Sequence, residues 1–361
     1  MVDKDPLADI RQRIDEIDAA VQQLVSERAE CARTVAEIKR EQGDSEHFYR
    51  PEREAQVLRK VQQRNQGPLS DDAIAGIFRE IMAVCLALEK PLKVAFLGPE
   101  GTYTHAAATK HFGSRIEPEP VASIEEVFRL VEAGGANFGV VPVENSSEGV
   151  INHTLDLFMK SALTVSGEVE LRIRHNLMTR EKATADIERV YAHQQTLAQC
   201  RLWLDINLPN AERIAVRSNA QAVIMASDHD HSAAIAGAMA AELYQMPVLY
   251  ADIEDEPNNT TRFVVIGKYR SPASGDDRTS LLVFAHNKPG SLFSLLEPLA
   301  KRNISMSNIE SRPSRRGVWE YVFFIDIDGH RDDENVAASI AEIEQASAMV
   351  TVLGSYPRAV L

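Results

Sequence analysis

Cysteine is scarce: Cys31, Cys85 and Cys200 are the only three in 361 residues, and no two form a CxxC pair. That excludes a disulfide scaffold and a zinc site built on paired thiolates, and it fits reduced thiols packed as small apolar groups. Long apolar runs are missing too, none approaching the roughly 20 residues that cross a bilayer. Basic charge is in deficit, with 39 Lys and Arg against 53 Asp and Glu, a net charge of −14. Such a surface repels phosphate backbones and anionic lipids, so neither nucleic acid nor membrane is an expected partner, although local basic sites can still collect small anions. The opening MVDKDPLADIRQRID is charged throughout and does not fit a secretory signal, which points to the cytoplasm. GPEGT lacks the GK[ST] ending of a phosphate loop, so nucleotide binding is not expected. In the triplet His229-Asp230-His231 adjacent side chains point in different directions and no third ligand is evident, so it reads as solvated surface and not as a metal site.

What is present divides into regions of different periodicity. At roughly 100 to 200 residues per domain, the length predicts two or three cores. From Leu7 the apolar positions Ile10, Ile14, Ile17, Val21, Leu24, Cys31, Val35 and Ile38 follow steps of three and four, predicting one long helix with a narrow stripe. Arg28 stands on that stripe. A helix of roughly 35 residues is about 50 Å long, too long for a compact helical domain of one chain, so a second chain is expected along it. Further helices are predicted after Pro51 and after Ser70 or Asp71. Beyond Pro91 strands such as KVAFLG, FGVVPVEN, RVYAH, AERIAV and SAAIAG alternate with helical SIEEVFRLVEAG, TLAQCRLWL and AQAVIMAS, predicting an α/β region of two lobes with a cleft between sheets. KYRSPASGDDR reads as a flexible linker, and the remainder as β-α-β-β-α-β.

Five motifs, in order, carry a resemblance. The helical N-terminus resembles an all-helical chorismate mutase. GPEGTYTHAA (98 to 107), VPVENSSEG (141 to 149) and NTTRF (259 to 263) resemble the prephenate dehydratase domain, and PGSL (289 to 292) with ESRP (310 to 313) resembles the phenylalanine-binding ACT domain. The whole chain is thus similar to the bifunctional chorismate mutase/prephenate dehydratases. The resemblance implies a multidomain fold: an all-α mutase domain over 1–91, a two-lobed, periplasmic-binding-protein-like α/β dehydratase domain over 92–269, and an α+β ferredoxin-like ACT domain over 279–361. It implies chorismate and prephenate as substrates, L-phenylalanine as effector, a homodimer or homotetramer, and no cofactor.

Roles follow residue by residue. The mutase rearrangement is pericyclic and needs charge complementarity to two carboxylates and to an ether oxygen gaining negative charge. Arg28 and Lys39 are eleven residues apart, about three helical turns, so a small diacid could sit between them. By resemblance Arg11, Arg28 and Arg53 hold carboxylates, with Arg11 serving the site of a second chain; Glu54 contacts a substrate hydroxyl, Cys85 stands near the site, and Lys39 and Glu89 donate to the ether oxygen. Glu89 replaces a glutamine of some members, and Arg50 falls where an aspartate occurs, so pH dependence is expected to differ. In the dehydratase, Thr261 assists departure of the ring hydroxyl, Arg262 takes a carboxylate and Phe263 shapes the ring pocket. Thr102, Tyr103, Asn145, Ser146 and Ser147 line the cleft, with His193 and Gln195 as weaker candidates. Gly290, Ser291 and Leu292 with Glu310, Ser311, Arg312 and Pro313 form the phenylalanine site, with Trp319 nearby. Two alternatives stand at this point: an arogenate dehydratase, since an amino group for a keto group changes little in these motifs, and a non-enzymatic amino-acid sensor.

Overall fold

Proline and capping residues set the first boundaries. The computed structural model describes residues 6–41, 48–286, 288–313 and 321–360; Trp319 lies outside them. Helix α1 (Pro6–Glu41) is an unbroken rod of 36 residues. Its stripe of Leu7, Ile10, Ile14, Ile17, Val21 and Leu24 is between 47% and 64% exposed within one chain. Helix α2 (Pro51–Arg64) opens on its proline, and the Ser70 side chain caps α3 (Asp71–Glu89) by accepting from the Ala73 amide at 3.2 Å. Helix α3 packs on both of the others.

The first lobe then runs β1 (Lys93–Leu97), α4 (Tyr103–Phe112), β2 (Glu117–Val121), α5 (Ile124–Glu132), β3 (Phe138–Asn145), β4 (Gly149–Val150), α6 (Asn152–Phe158) and β5 (Thr164–Arg172). The second runs β6 (Asn176–Thr179), β7 (Arg189–His193), α7 (Gln194–Gln199), α8 (Arg201–Asn207), β8 (Glu212–Val216), α9 (Asn219–Asp228), β9 (Ser232–Ala236), α10 (Ala238–Leu243) and β10 (Val248–Tyr250). Strand β11 (Thr260–Gly267) returns to the first lobe and slots between β3 and β5, antiparallel to both. The sheets are ordered β2-β1-β3-β11-β5, with β4 on β3, and β10-β6-β9-β7-β8. The cleft opens where the chain crosses from lobe to lobe.

The C-terminal unit is β12 (Asp277–Phe284), α11 (Ser291–Lys301), β13 (Met306–Pro313), β14 (Tyr321–Asp328), α12 (Glu334–Ala346) and β15 (Met349–Pro357), with antiparallel order β13-β14-β12-β15. One face of this sheet carries its two helices. The other packs on the first lobe, so that Leu282, Phe284, Val322, Phe324 and Leu353 share a core with Val165, Val264, Leu155 and Phe158. Gly354 permits the approach: a Cβ there would lie 2.0 Å from the Val165 carbonyl oxygen.

Two expectations are corrected. The stretch read as a flexible linker is a fastened strap: Ser271 and Ser274 are buried, the Ser274 hydroxyl and amide bond Asp277 at 2.6 and 2.8 Å, and Arg59 of α2 reaches the Ser274 hydroxyl at 3.0 Å. TLAQCRLWL is not one helix but two, α7 and α8, meeting at Cys200.

Candidate active site

The interlobe cleft encloses about 250 Å³ between the carboxyl end of β3, the first residues of β11 and the loops of the second lobe. Thr261 faces Asn145 across the β3–β11 ladder, and the register of that pair makes the site. The Asn145 side-chain amide donates to Thr261 Oγ1 at 2.8 Å and to Asn259 Oδ1 at 2.8 Å. Its oxygen accepts from the Ser147 and Glu148 amides at 3.0 and 3.1 Å, which fixes which end of the carboxamide points at the threonine. Thr261 Oγ1 is therefore an acceptor for Asn145, and its own proton is left to be given into the cleft. Phe263, two residues on, lines the same face.

Thr102 and Tyr103 also line the cleft. Thr102 caps α4, accepting from the His105 amide and donating to the Leu97 carbonyl at 2.9 Å, so its hydroxyl is engaged. The Tyr103 hydroxyl lies 2.8 Å from His175 Nδ1, and His175 Nε2 lies 2.8 Å from Gln199 Oε1. Burial holds the His175 ring below its ordinary pKa. The Tyr103 hydroxyl donates to the Arg174 carbonyl at 2.6 Å, and the single N–H of a neutral His175 ring serves one of its two neighbours. His193 and Gln195 stand on the wall as well, together with residues not singled out in the sequence: His175, Gln199, Arg217, Asn219 and Asn259. His175 and Asn259 stand on the two crossings between the lobes, just before β6 and β11, while Gln199 ends α7, Arg217 follows β8 and Asn219 opens α9.

Three sequence-predicted residues are not brought into this cleft. Arg262 lies on the opposite face of β11, where Nε meets Glu168 at 3.0 Å, Nη1 meets Asp326 at 2.6 Å and Nη2 meets the Tyr356 hydroxyl at 3.0 Å. The role of carboxylate ligand is thus corrected; period-two alternation puts Thr261 and Phe263 on one face and Arg262 on the other. Ser146 is exposed and exchanges bonds with Thr260, its hydroxyl accepting from the Thr260 amide at 2.9 Å. Ser147 is exposed and donates to Glu256 at 3.2 Å. Both serines close the turn that holds Asn145.

In the helical region Lys39 and Glu89 come together at the ends of α1 and α3. The Lys39 ammonium donates to the Phe48 carbonyl at 3.2 Å and lies 5.6 Å from the Phe48 ring. Burial raises Glu89 above the usual carboxylate range against the opposing pull of Lys39 and Arg40. One Glu89 oxygen is buried with no hydrogen-bond partner among the described residues. Cys85 is buried one turn back on α3, and Arg28 is half-buried on α1. Arg53 is exposed, and Arg11 is exposed near the far end of the rod, about 42 Å from Lys39 by helical rise. Glu54 does not join them. Its carboxylate turns to Arg79 at 3.4 Å, beneath Tyr49, and burial lifts its pKa to about 7. Arg79 sits ten residues before Glu89, about 15 Å along α3, so the expected hydroxyl contact is corrected to an internal ion pair.

At the C-terminal sheet Gly290 adopts a left-handed φ of 81° at the cap of α11, and the Ser291 hydroxyl donates to the Lys288 carbonyl at 2.8 Å and to the His286 carbonyl. Leu292 is 40% exposed. Glu310, Ser311, Arg312 and Pro313 form the end of edge strand β13, and Arg312 pairs with Asp156 of α6 at 2.7 Å. That pair ties the ESRP motif to the helix following the Asn145 turn.

Comparison with known proteins gives matches along nearly the whole chain. Residues 10–90 match the family model for chorismate mutase type II, residues 94–271 that for prephenate dehydratase, and residues 279–345 that for the ACT domain. A bifunctional chorismate mutase/prephenate dehydratase of Pseudomonas aeruginosa is 52% identical over 100% of both chains, and one of Aquifex aeolicus is 40% identical over 98% of this chain and 99% of its own. Among solved structures, the prephenate dehydratase of Arthrobacter aurescens in complex with L-Phe superposes with a TM-score of 0.69 at 34% identity, covering 74% of this chain and 90% of that one.

Proposed function

We propose, from the premise that this chain belongs to the family of bifunctional chorismate mutase/prephenate dehydratases, that residues 1–91 rearrange chorismate, residues 92–269 aromatise the prephenate formed, and residues 279–361 bind L-phenylalanine and restrain the second reaction. Asn145 holding Thr261 as an acceptor carries the reading. Prephenate bears its hydroxyl on one ring carbon and both carboxylate arms on the carbon opposite. The electron pair of the ring-to-carboxylate bond becomes part of the aromatic ring, carbon dioxide leaves, and the opposite C–O bond breaks; its oxygen takes up one proton and departs as water. A hydroxyl whose acceptor lone pair is occupied by Asn145 is oriented to donate to that departing oxygen. Phe263 offers an apolar wall to the ring as it flattens.

In the helical segment the breaking ether bond gathers negative charge on oxygen. Lys39 and a protonated Glu89 donate to it, while Arg28 takes a carboxylate. The exposed stripe of α1 supports a homodimer or homotetramer, with Arg11 completing the partner's site. The full-length bifunctional relatives favour this reading over an arogenate dehydratase or an amino-acid sensor; the proposal places the enzyme in the cytoplasm and gives it no cofactor. No helix among the described residues is long and apolar enough to cross a membrane.

The test is to incubate purified protein with chorismate and follow its loss alongside phenylpyruvate. Both are expected; Thr261→Val should stop the sequence at prephenate, lowering dehydratase kcat by about 10²- to 10⁴-fold while the mutase rate stands. Wild-type protein that leaves chorismate untouched, or that loses both activities through Thr261→Val with its fold intact, overturns the reading.

A further inference from the structure

Arg262, the cation expected to bind substrate, is committed to the far side of its sheet. That leaves a dianionic substrate without its assigned counter-charge. Among the described residues lining the cleft, Arg217 is the sole Lys or Arg, and no Asp or Glu lines it. His175, on the same wall, is held toward its neutral form by burial. Arg217 follows the last residue of β8 and directly precedes Ser218, the N-cap of α9, whose side chain accepts from the Gln221 amide at 3.1 Å. Asn219 pins this corner to the end of β7, accepting from the His193 amide at 2.8 Å and donating to the Thr196 hydroxyl at 2.8 Å. Arg217 itself is exposed, and no ion pair or hydrogen bond holds its side chain among the described residues. A free guanidinium on a fixed corner, on the lobe facing Thr261, is available to an anion.

We propose that Arg217 binds the side-chain carboxylate of the substrate. The proposal rests on the dehydratase reading above. With Thr261 at the ring hydroxyl, both carboxylate arms hang from the opposite ring carbon, toward the second lobe. They have different fates: the ring carboxylate leaves as carbon dioxide, whereas the side-chain carboxylate keeps its charge from substrate to product. A cation clamped on the departing carboxylate would stabilise the charge that the reaction must discharge; on the retained carboxylate it binds ground state, transition state and product alike. Arg217 therefore governs KM and product affinity and leaves kcat nearly alone.

Arg217→Gln and Arg217→Lys in the full chain test this, with Arg213→Gln as a control that removes a cation of the same lobe paired outside the cleft with Asp205. Arg217→Gln should raise KM for prephenate about 10- to 100-fold, the range of a lost charge-assisted hydrogen bond, with kcat changed less than about threefold. Lysine should recover part of the loss. Phenylpyruvate, which retains only the side-chain carboxylate, should weaken as a competitive inhibitor by the same factor. The control should change neither constant, and chorismate turnover should stand in all three. Unchanged KM and unchanged phenylpyruvate inhibition in Arg217→Gln overturn the proposal, as does a fall confined to kcat. Calorimetric binding of phenylpyruvate reads the same contact without turnover, so a wild-type chain that fails to consume prephenate but binds phenylpyruvate through Arg217 would sink the activity and uphold the contact.

Discussion

Glu89 sits where the direction of a pKa decides a mechanism. Burial raises it, and Lys39 and Arg40 only partly offset that. A protonated carboxyl can donate to the ether oxygen of the rearranging substrate; a carboxylate cannot, and it repels the charge developing there. Mutase turnover should accordingly be full below the raised pKa of Glu89 and fall as pH climbs through it. Glu89→Gln, neutral at every pH and still a donor, should flatten the basic limb of the profile. A limb that survives unchanged in the glutamine variant removes Glu89 from the chemistry. Glu54 shows that a raised carboxylate alone does not mark a site. Its pKa of about 7 comes from enclosure beside Arg79, in packing between α2 and α3, and its sequence neighbours offered no sign of which way it would turn.

At the scale of elements, strand β11 serves two masters. Thr261 and Phe263 face the cleft, and Arg262 between them reaches Glu168 of β5, Asp326 of β14 and Tyr356 of β15, with Arg278 of β12 on the same Glu168. Breaking a buried pair by deleting one partner costs about 3 kcal/mol or more. Arg262→Gln should lower the melting temperature and blunt inhibition by L-phenylalanine, while KM for prephenate without effector changes little. A KM rise matching that of a true carboxylate ligand would return Arg262 to the cleft. How much was legible follows from what local pattern can encode. The heptad stripe and the β-α-β-β-α-β order are local and were read correctly, and of the two cap candidates, Ser70 and Asp71, Ser70 is the one that caps. Strand β2, EPEPV, escaped because its prolines argue against a strand; it survives at the edge of its sheet, where a missing N–H is tolerated. The strap at Ser271 to Gly275 has a linker's composition, and what fastens it is mostly remote in sequence: Arg59, more than 200 positions away, His330 and Ser166, besides the neighbouring Asp277. Arg217 went unnoticed because nothing in VRSNAQ tells that its corner faces Thr261.

For the chain as a whole, the shared core between first lobe and C-terminal sheet changes what removal of that sheet would do. Val165, Val264, Leu155 and Phe158 are covered by Leu282, Phe284, Phe324 and Leu353, and each buried aliphatic or aromatic side chain contributes about 1.5 to 3 kcal/mol. Ending the chain before Thr279 should therefore give a dehydratase unit with a lower melting temperature and a tendency to associate, besides loss of phenylalanine control. A truncated protein that is monodisperse and melts like the intact one would show that this interface contributes little stability. Deregulation is better sought with single changes such as Leu292→Ala, at an exposed position of the expected effector site.

The α1 rod poses the complementary question of what covers its apolar stripe. Leu7, Ile10, Ile14, Ile17, Val21 and Leu24 form a continuous exposed ridge on one side of the helix, with Arg11 beside it. Arg11 and Lys39 cannot meet within one chain, since 28 residues of straight helix hold them about 42 Å apart. If a second copy lies along the ridge in a two-fold arrangement, each site takes Lys39 from one chain and Arg11 from the other. Arg11→Ala and Lys39→Ala should then each abolish mutase activity as pure proteins. When the two variants are unfolded together in equal amounts and refolded, half of the dimers should be mixed, and each mixed dimer carries one site with both changes and one with neither. About one quarter of wild-type mutase activity should return, while dehydratase activity stays constant throughout. Ile14→Glu, placed in the ridge, should abolish both the dimer in sedimentation and that recovery. Mixtures that never rise above the pure variants would mean that Arg11 and Lys39 act in separate places, and the partner across the stripe would have to be something other than a second active half.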